Sequence, residues 1–311
     1  MRFRSDPANT IRGSIAPVVT PFTDDGELDT KGLQNLIRWQ LESGSHGISL
    51  GGSTGEPSAQ TVQERIAAMD AAVRQIHDQV PFLPGTGSAK LDETLELTAH
   101  AQAIGADAAL VITPYYARPT QEGLFQWYDT VAREYPDLPI FVYNVPSRTA
   151  VDMAPETIAR LRNKHANITG VKETTKDFEH FSRVLHLCGR DTIVLSGIEL
   201  LCLPLLALGG AGFVSAVANI APSAVARMYE CWQAGDQDQA RDLHYALHPL
   251  VDLIFTETNP APAKWVLEQA GLLTSAHVRP PLAALSDKHK VMRLLNQGAP
   301  VLNSPIRDLT A

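Results

Sequence analysis

Eight short apolar segments alternate with longer amphipathic segments, and this alternation restricts the possible folds of the chain most strongly. The apolar segments are predicted as strands, because continuous apolar runs of this length suit a parallel sheet that is buried on both faces. The predicted strands are residues 14–20, 47–50, 81–85, 108–113, 140–144, 168–173, 193–196 and 212–216.

The segments between the predicted strands carry helical patterns. In the clearest one, five apolar residues recur at spacings of three and four, which places them on one face of a helix. These residues are Val62, Ile66, Met69, Val73 and Ile76. A second helix is predicted around residues 33–41, with Asp29 or Thr30 as its N-cap.

Strands and helices that alternate eight times predict an α/β fold, a (β/α)8 TIM barrel. The alternative is a doubly wound sheet, which usually carries a glycine-rich nucleotide turn after its first strand. Here the first strand is followed by Pro21, Phe22 and Thr23. We therefore expect a barrel over residues 1–225 and a C-terminal helical extension over residues 226–311. Helical segments are predicted near residues 224–234, 237–255, 263–270 and 281–297.

The composition limits the partners. The net charge is −8 and no block of like charges occurs, which argues against nucleic acid or an anionic membrane as the main partner. Residues 1–10 lack the apolar stretch of a secretory signal. The longest apolar run, residues 198–208, is too short to span a bilayer. We expect a cytoplasmic protein.

Cysteine and histidine patterns predict no metal centre. The cysteines Cys188, Cys202 and Cys231 are far apart and form no CxxC pair, so buried structural thiols are expected. The ten histidines are scattered and no HExxH occurs, so a metal-dependent aldolase is not supported.

Chemically active residues follow several predicted strands. In a barrel, active groups lie at the carboxyl ends of the strands. Strand two ends in GGSTGE (51–56), strand four in TPYY (113–116), strand five in YNVPSRT (143–149) and strand six in GVKETT (170–175). Hydroxyls, phenols, one arginine and one lysine are therefore expected near one rim.

Lys172 is the candidate nucleophile. It lies inside an apolar strand, where a charge is costly unless it is functional or paired. Removal of a lysine from water favours its neutral form, which is suited to Schiff-base chemistry with a carbonyl. The structural alternative is a lysine that ends the strand and pairs with Glu173 or another acid. Tyr143 ends the neighbouring strand, within reach for proton transfer, although a core tyrosine is its alternative.

Two further motifs suit carboxylate binding. Backbone N–H groups of the glycine-rich GGSTGE turn, with the Ser53 and Thr54 hydroxyls, form a concave donor set. Taken alone, this turn is better explained as a tight strand-to-helix connection whose serine and threonine cap the next helix. Arg148 follows a proline in a loop, and its planar fork suits a second carboxylate, whereas a solvent-facing arginine is the usual alternative.

Together and in this order, these motifs resemble the dihydrodipicolinate synthase/N-acetylneuraminate lyase family. The similarity extends from GSIAPVVTPF (13–22) to NPAPAKW (259–265). The resemblance implies that Lys172 forms a Schiff base with pyruvate and that Tyr143 is the general acid/base. It also implies that Ser53 and Thr54 hold the pyruvate carboxylate. No metal or organic cofactor is implied.

The resemblance also implies how the second substrate and the subunits are arranged. Tyr116 matches a tyrosine that the family supplies from a neighbouring subunit to a proton relay with Ser53 and Tyr143. Arg148 matches the arginine that binds the carboxylate of the incoming aldehyde. Val214 matches a position whose backbone carbonyl approaches bound pyruvate. A homodimer or homotetramer is expected.

Several departures from the family pattern bear on the substrate. The synthase branch usually has two threonines where this chain has Ser53 and Thr54, and GGSTGE is closer to the sialic acid lyases, whereas Arg148 favours the synthase. Residues of the lysine feedback site fall on Val62 or Arg65 and on Ala89, so weak or absent lysine inhibition is predicted.

Three other functions are alternatives to the synthase. GSIAPVVTPF, KDFEHF (176–181) and SGIELLCLPLLALGG (196–210) resemble a subgroup linked to cleavage of 2-oxo-4-hydroxy diacids such as 2,4-dihydroxyhept-2-enedioate. A non-catalytic 2-oxo acid binding protein would have been signalled by loss of Lys172 or Tyr143, and both are present. A phosphate site at the glycines of 209–212 lacks a nearby basic residue.

Overall fold

The computed structural model describes residues 11–76 and 78–310, and the expectation for residues 1–10 lies outside them. All eight predicted strands are present. They are β1 (Gly13–Pro17), β2 (Gly47–Leu50), β3 (Phe82–Pro84), β4 (Ala109–Ile112), β5 (Ile140–Asn144), β6 (Ile168–Glu173), β7 (Ile193–Ser196) and β8 (Gly212–Val214).

The strands form one sheet in the order β3-β2-β1-β8-β7-β6-β5-β4. The two ends of this order are joined by a parallel bridge between Gly85 and Leu110, where Thr86 N donates to Leu110 O at 3.0 Å. The fold is the predicted (β/α)8 barrel, and helices continue to the C-terminal end of the described chain.

Helices connect the strands and follow the last one. They are α1 (Thr30–Glu42), α2 (Val62–Ile76), α3 (Leu91–Ala103), α4 (Gln121–Glu134), α5 (Pro146–Thr149), α6 (Pro155–Lys164), α7 (Phe178–Cys188), α8 (Cys202–Ala207), α9 (Pro222–Gln233), α10 (Gln237–Ala246), α11 (His248–Ile254), α12 (Ala261–Gln269) and α13 (Lys288–Gly298).

The chain forms two compact units, and the first contains Pro81–Val214. In this unit β4 to β7 are paired in parallel, and Tyr143 on β5 lies beside Lys172 on β6. The apolar sides of α4, α6 and α7 pack in the core, where Tyr128, Ile158 and Phe181 are fully buried. This register fixes the chemically active ends of β5 and β6 next to each other.

The second unit contains Gly13–Val80 and Ser215–Ala311. Here β1 pairs with β2, and α1 packs beside α2. Asp29 is the N-cap of α1 and accepts a hydrogen bond from Gly32 N at 2.8 Å, as the sequence predicts. The division of the chain at residue 225 into a barrel and an extension stays a prediction.

The structure adds to or differs from the predicted helices and strands in some details. The buried face of α2 is formed largely by Ala68, Met69, Ala72 and Ile76, whereas Val62, Ile66 and Val73 are only partly buried. Small alanine side chains allow close packing, which apolar periodicity alone does not reveal. Residues 237–255 form two helices that meet at Leu247, next to a proline at the start of α11.

The last predicted helix begins later than expected. Helix α13 starts at Lys288, because the Asp287 side chain caps it by accepting from Lys290 N at 2.9 Å. The first strand ends at Pro17, three residues before its predicted end at Thr20. Beyond it, Val19 N donates to the side chain of Asn219 at 3.1 Å rather than continuing the ladder.

Candidate active site

Lys172 lies near the carboxyl end of β6, beside Tyr143 at the end of β5. The lysine side chain is only 5% exposed, and Tyr143 is also buried. Lys172 Nζ lies 4.0 Å from the centroid of the Tyr143 ring. The predicted neighbourhood of the candidate nucleophile and the candidate acid/base is therefore confirmed within the first unit.

The alternative in which Lys172 pairs with Glu173 does not hold. Successive side chains of a strand point to opposite faces of the sheet, and Glu173 is occupied elsewhere. Its carboxylate accepts from Asn144 Nδ2 at 3.1 Å and from the backbone N–H groups of Thr174 and Thr175 at 2.9 Å. Among residues 11–76 and 78–310, no carboxylate lies within ion-pair distance of Lys172. A buried amine without a counter-ion fits a nucleophile better than a structural ion pair.

Glu173 is also paired with His180, which α7 contributes from the KDFEHF segment. His180 Nε2 lies 3.1 Å from Glu173 Oε2, and its Nδ1 lies 3.9 Å from Asp152. Burial opposes protonation of His180, but the charges of Glu173, Asp152 and Asp177 outweigh it and raise the pKa of His180. This network fixes the backbone that follows Lys172.

Gly197, which follows β7, makes room for the Lys172 side chain. A Cβ atom at Gly197 would lie 2.1 Å from Thr174 Cγ2 and 2.9 Å from Lys172 Cε. Both distances are shorter than ordinary carbon contacts of about 3.5–4.0 Å. A larger residue at this position would require the side chains of Thr174 and Lys172 to shift.

Arg148 lies on α5, a single helical turn directly after β5. Its side chain is exposed, and its backbone N–H donates to Val145 O at 2.9 Å. The turn is tied to the end of β4 because Thr113 Oγ1 donates to Thr149 Oγ1 at 3.3 Å. The arginine therefore extends from a fixed backbone, as recognition of a carboxylate requires.

Tyr116 and Val214 are the remaining predicted site residues of the first unit. Tyr116 is 95% exposed, and its φ of 74° lies in the left-handed region. Positive φ is uncommon for a bulky residue, and such strain is concentrated at functional sites. Val214 is buried at the last position of β8, where Ser196 and Phe213 are register partners one residue earlier.

The second unit carries the GGSTGE turn directly after β2. Ser53–Gly55 form a short 3-10 helix, and the turn reverses at Glu56, whose φ of 54° is left-handed. Thr54 Oγ1 accepts a hydrogen bond from Asn259 Nδ2 at 2.9 Å, and Thr20 Oγ1 donates to Gly55 O at 2.8 Å. Side chains from outside the turn therefore fix its conformation.

A buried ion pair lies behind the same turn. Lys264 on α12 is fully buried, and its Nζ lies 2.5 Å from Glu56 Oε1. The ammonium also donates to His277 O at 2.7 Å and lies 4.2 Å from the centroid of the Phe22 ring. Burial lowers the pKa of Lys264 to about 8, although the charge of Glu56 acts in the opposite direction.

Arg279 extends this contact. Its backbone N–H donates to Glu56 Oε2 at 2.9 Å, and its guanidinium donates to Gly26 O and Ala59 O. The guanidinium also pairs with Glu64 at 2.5 Å, and this hydrogen bond lowers the pKa of Glu64 to about 2.

Metal centres and membrane-spanning helices are both absent from the described residues. Within residues 11–76 and 78–310, no group of three His, Cys, Asp or Glu side chains is arranged to hold a metal ion. In the same residues, no helix has the length and apolar character needed to cross a membrane. The three cysteines are free and buried, as predicted.

Comparison with known proteins gives consistent results. Residues 10–297 match the model of the dihydrodipicolinate synthetase family. A 4-hydroxy-tetrahydrodipicolinate synthase of Thermus thermophilus is 46% identical over 271 residues, which is 87% of this chain and 90% of the relative. The chain belongs to the dihydrodipicolinate synthetase family.

Other members agree in sequence and in fold. A 4-hydroxy-tetrahydrodipicolinate synthase of Methanopyrus kandleri is 42% identical over 285 residues, covering 91% of this chain and 94% of the relative. A solved structure of that synthase from Methylacidiphilum fumariolicum has a TM-score of 0.90 at 34% identity and covers 97% of this chain and all of the other. The expected family and the expected class of enzyme, a Schiff-base lyase, are confirmed.

Sequence reasoning missed some residues around the site of this family member. The sequence analysis predicts no role for Lys264 and Arg279, the partners of the GGSTGE turn, although Lys264 lies in the motif NPAPAKW. A lysine inside an apolar helical segment was the available signal. Glu173 was considered only as a partner of Lys172, and its contact with His180 was not foreseen.

Proposed function

We propose that this member of the dihydrodipicolinate synthetase family condenses pyruvate with aspartate semialdehyde through a Schiff base on Lys172. The observation that carries the proposal is the buried Lys172 amine, which has the Tyr143 ring at 4.0 Å and no carboxylate at ion-pair distance among the described residues. The names of the relatives support the two substrates.

The proposed chemistry begins at the lysine amine. The neutral Lys172 Nζ attacks the keto carbon of pyruvate, and the resulting carbinolamine loses water to give the imine. Tyr143 transfers the protons that addition and dehydration require. Loss of a proton from the pyruvate methyl group gives an enamine, whose carbon attacks the aldehyde. No metal or organic cofactor is needed, because the imine itself makes the methyl group of pyruvate acidic enough to lose a proton.

Binding of the substrate carboxylates is assigned to three side chains. The proposal gives Ser53 and Thr54 the carboxylate of pyruvate, on the basis of the GGSTGE motif and the donors of its turn. It gives Arg148 the carboxylate of the aldehyde, because a guanidinium fork on a fixed turn suits bidentate recognition. The backbone carbonyl of Val214 approaches the bound pyruvate.

Assembly into a homodimer or homotetramer belongs to the same proposal. Tyr116 is almost fully exposed in the single chain and is held in a strained conformation. Its phenol would complete the proton relay of a neighbouring subunit, and its exposure supports that role. Cytoplasmic location and weak lysine inhibition stay predictions.

The direction of the reaction is tested by two turnover assays on one purified sample, in the presence of a chelator. One assay supplies pyruvate and aspartate semialdehyde, and the other supplies 2-oxo-4-hydroxy diacids and measures pyruvate release. Turnover in the first assay supports the synthase and shows that serine at position 53 is compatible with it. Turnover in the second assay alone would replace the synthase by the catabolic aldolase, with the same lysine chemistry.

A variant of Arg148 tests the recognition of the aldehyde. Arg148→Lys keeps the positive charge but removes the fork, so the KM for aspartate semialdehyde should rise while the KM for pyruvate changes little. Equal changes in both KM values would contradict the assignment of Arg148 to the aldehyde.

A further inference from the structure

Lys264 is a second buried lysine, and the proposed chemistry gives it no role. It lies on α12, and its ammonium is enclosed by Glu56, by the carbonyl of His277 and by the ring of Phe22. A buried ammonium of this kind is costly unless it serves as a fixed partner. This unfavourable burial of the Lys264 ammonium occurs directly behind the GGSTGE turn.

The contact connects α12 to the turn. Glu56 is the last residue of GGSTGE. Its left-handed backbone joins two short 3-10 helices, Ser53–Gly55 and Pro57–Ala59. Its carboxylate is held from two sides, by Lys264 Nζ at 2.5 Å and by Arg279 N at 2.9 Å. Because both carboxylate oxygens are occupied, Glu56 has little rotational freedom.

A second contact comes from the same C-terminal motif. Asn259 lies two residues before α12 and donates to Thr54 Oγ1 at 2.9 Å. A hydroxyl that accepts this hydrogen bond has its own proton directed elsewhere, where it is able to donate to a ligand. NPAPAKW therefore holds the turn at two positions, Thr54 and Glu56.

We propose that Lys264 is a positioning residue for 2-oxo acid binding: through Glu56, and together with Asn259, it holds Ser53 and Thr54 in the orientation that receives the carboxylate. This inference rests on the proposed function, since the ligand of the turn is the carboxylate of pyruvate. It assigns the C-terminal helix α12 a part in substrate binding beyond its part in stability.

The charged groups around Lys264 give the inference a pH signature. They are Glu56 on the turn and Arg279 on the C-terminal segment, while His277 contributes its backbone carbonyl. Because burial lowers the pKa of Lys264 to about 8, the lysine loses its charge as the pH rises above that value. Pyruvate binding should weaken in the same range, since Glu56 then loses its ionic partner.

The experiment measures how much pyruvate half-saturates borohydride trapping, together with the KM values for pyruvate and the aldehyde. Lys264→Met should raise the pyruvate concentration required on the order of tenfold, with the aldehyde KM within about twofold of the original. Lys264→Arg keeps the charge and should restore part of the affinity. Glu268→Gln is the matched control, because Glu268 lies on the same helix and contacts Ala276 N instead of the turn.

Loss of one partner of a buried ion pair destabilises a protein strongly, so the single variant Lys264→Met could fail to fold. A second variant without this defect is therefore included. The double variant Glu56→Gln/Lys264→Met leaves no unpaired charge and should fold, yet it should still bind pyruvate weakly. The third measurement is a pH series. In wild-type protein, the half-saturating pyruvate concentration should increase as the pH rises above about 8, and in Lys264→Arg it should change less with pH.

The outcomes separate the inference from the proposed function. Absence of trapping in folded wild-type protein would refute the proposed function itself. Normal trapping in wild type, with the same pyruvate dependence in the folded Lys264 variants, would overturn the inference and leave the function intact. A half-saturating concentration in wild type that does not rise above pH 8 would also overturn it.

Discussion

Replacing Gly197 with alanine should affect the stability of this enzyme and its lysine chemistry through two different contacts. The new Cβ atom would lie 2.1 Å from Thr174 Cγ2 and 2.9 Å from Lys172 Cε. The contact with Thr174 is a steric clash that destabilises the packing, whereas the contact with Lys172 displaces the proposed nucleophile. Gly197→Ala is therefore expected to reduce both stability and imine formation.

The size of each effect follows from these distances. Carbon atoms in contact lie about 3.5–4.0 Å apart, so Lys172 Cε has to move by roughly 0.6–1.1 Å. A displacement of about 1 Å at a reacting group lowers rates on the order of a hundredfold. The additional methyl group in a filled space should cost about 1–3 kcal/mol of stability.

A second substitution separates the two contacts. Thr174→Ser removes Cγ2, the atom nearest to the new methyl group, and keeps the hydroxyl that donates to Asn144 O. The double variant Gly197→Ala/Thr174→Ser should regain most of the stability, while imine formation stays slow because the contact with Lys172 remains. Thr174→Ser alone is the control and should form the imine at nearly the original rate.

Urea unfolding measures the stability, and the rate of borohydride trapping with pyruvate measures imine formation. Recovery of both quantities in the double variant would mean that Lys172 is not displaced by a methyl group at position 197. Gly197→Ala protein that is fully stable and traps pyruvate at the original rate would refute the reasoning altogether.

Three further results are expected. Tyr143→Phe should lower kcat about 10²–10⁴-fold in folded protein, because it removes the proposed acid/base. Glu64→Gln should cost about 1–2 kcal/mol at pH 7, an amount discounted for partial exposure of the ion pair with Arg279. This contribution is present above the ordinary carboxyl pKa of 4.5 and is lost as the pH falls towards the lowered pKa of about 2. His180→Asn should destabilise most below pH 6.5, because the raised pKa of His180 adds stability that is lost as the pH rises through it.

Steady-state kinetics and urea unfolding at several pH values check these results. A near-normal kcat in Tyr143→Phe would mean that a group other than Tyr143 transfers the proton. A cost of Glu64→Gln that does not shrink on acidification would disprove the ionic contribution of Glu64. The His180 expectation fails if the variant is destabilised equally at pH 6 and pH 9.

Much of the fold was readable from the sequence, because parallel strands buried on both faces leave continuous apolar runs. The bounds of β2, β5, β6 and β7 agree with the prediction to the residue. Helix faces were less readable: alanines form much of the buried side of α2, and alanine gives only a weak apolar signal. Helix breaks depended on single prolines and caps, such as Asp287 before α13.

The candidate site was readable where it depends on neighbouring strands. Adjacent strands bring Tyr143 beside Lys172, and this followed from strand order alone. The contact of Lys264 with Glu56 was not readable, because it joins segments that are distant along the chain, as does the contact of Asn259 with Thr54 across 205 positions. Only the folded structure shows which buried acid accompanies a buried lysine.

Borohydride reduction in the presence of pyruvate, followed by peptide mapping with mass spectrometry, tests the central claim most directly. Lys172 and Lys264 are both buried lysines, and burial lowers the pKa of Lys264 to about 8, so the map distinguishes two real candidates. The account predicts one reduced pyruvyl group per chain, on the peptide that contains Lys172, and none in a Lys172→Arg variant. A label on Lys264, or folded protein without any label, would contradict it.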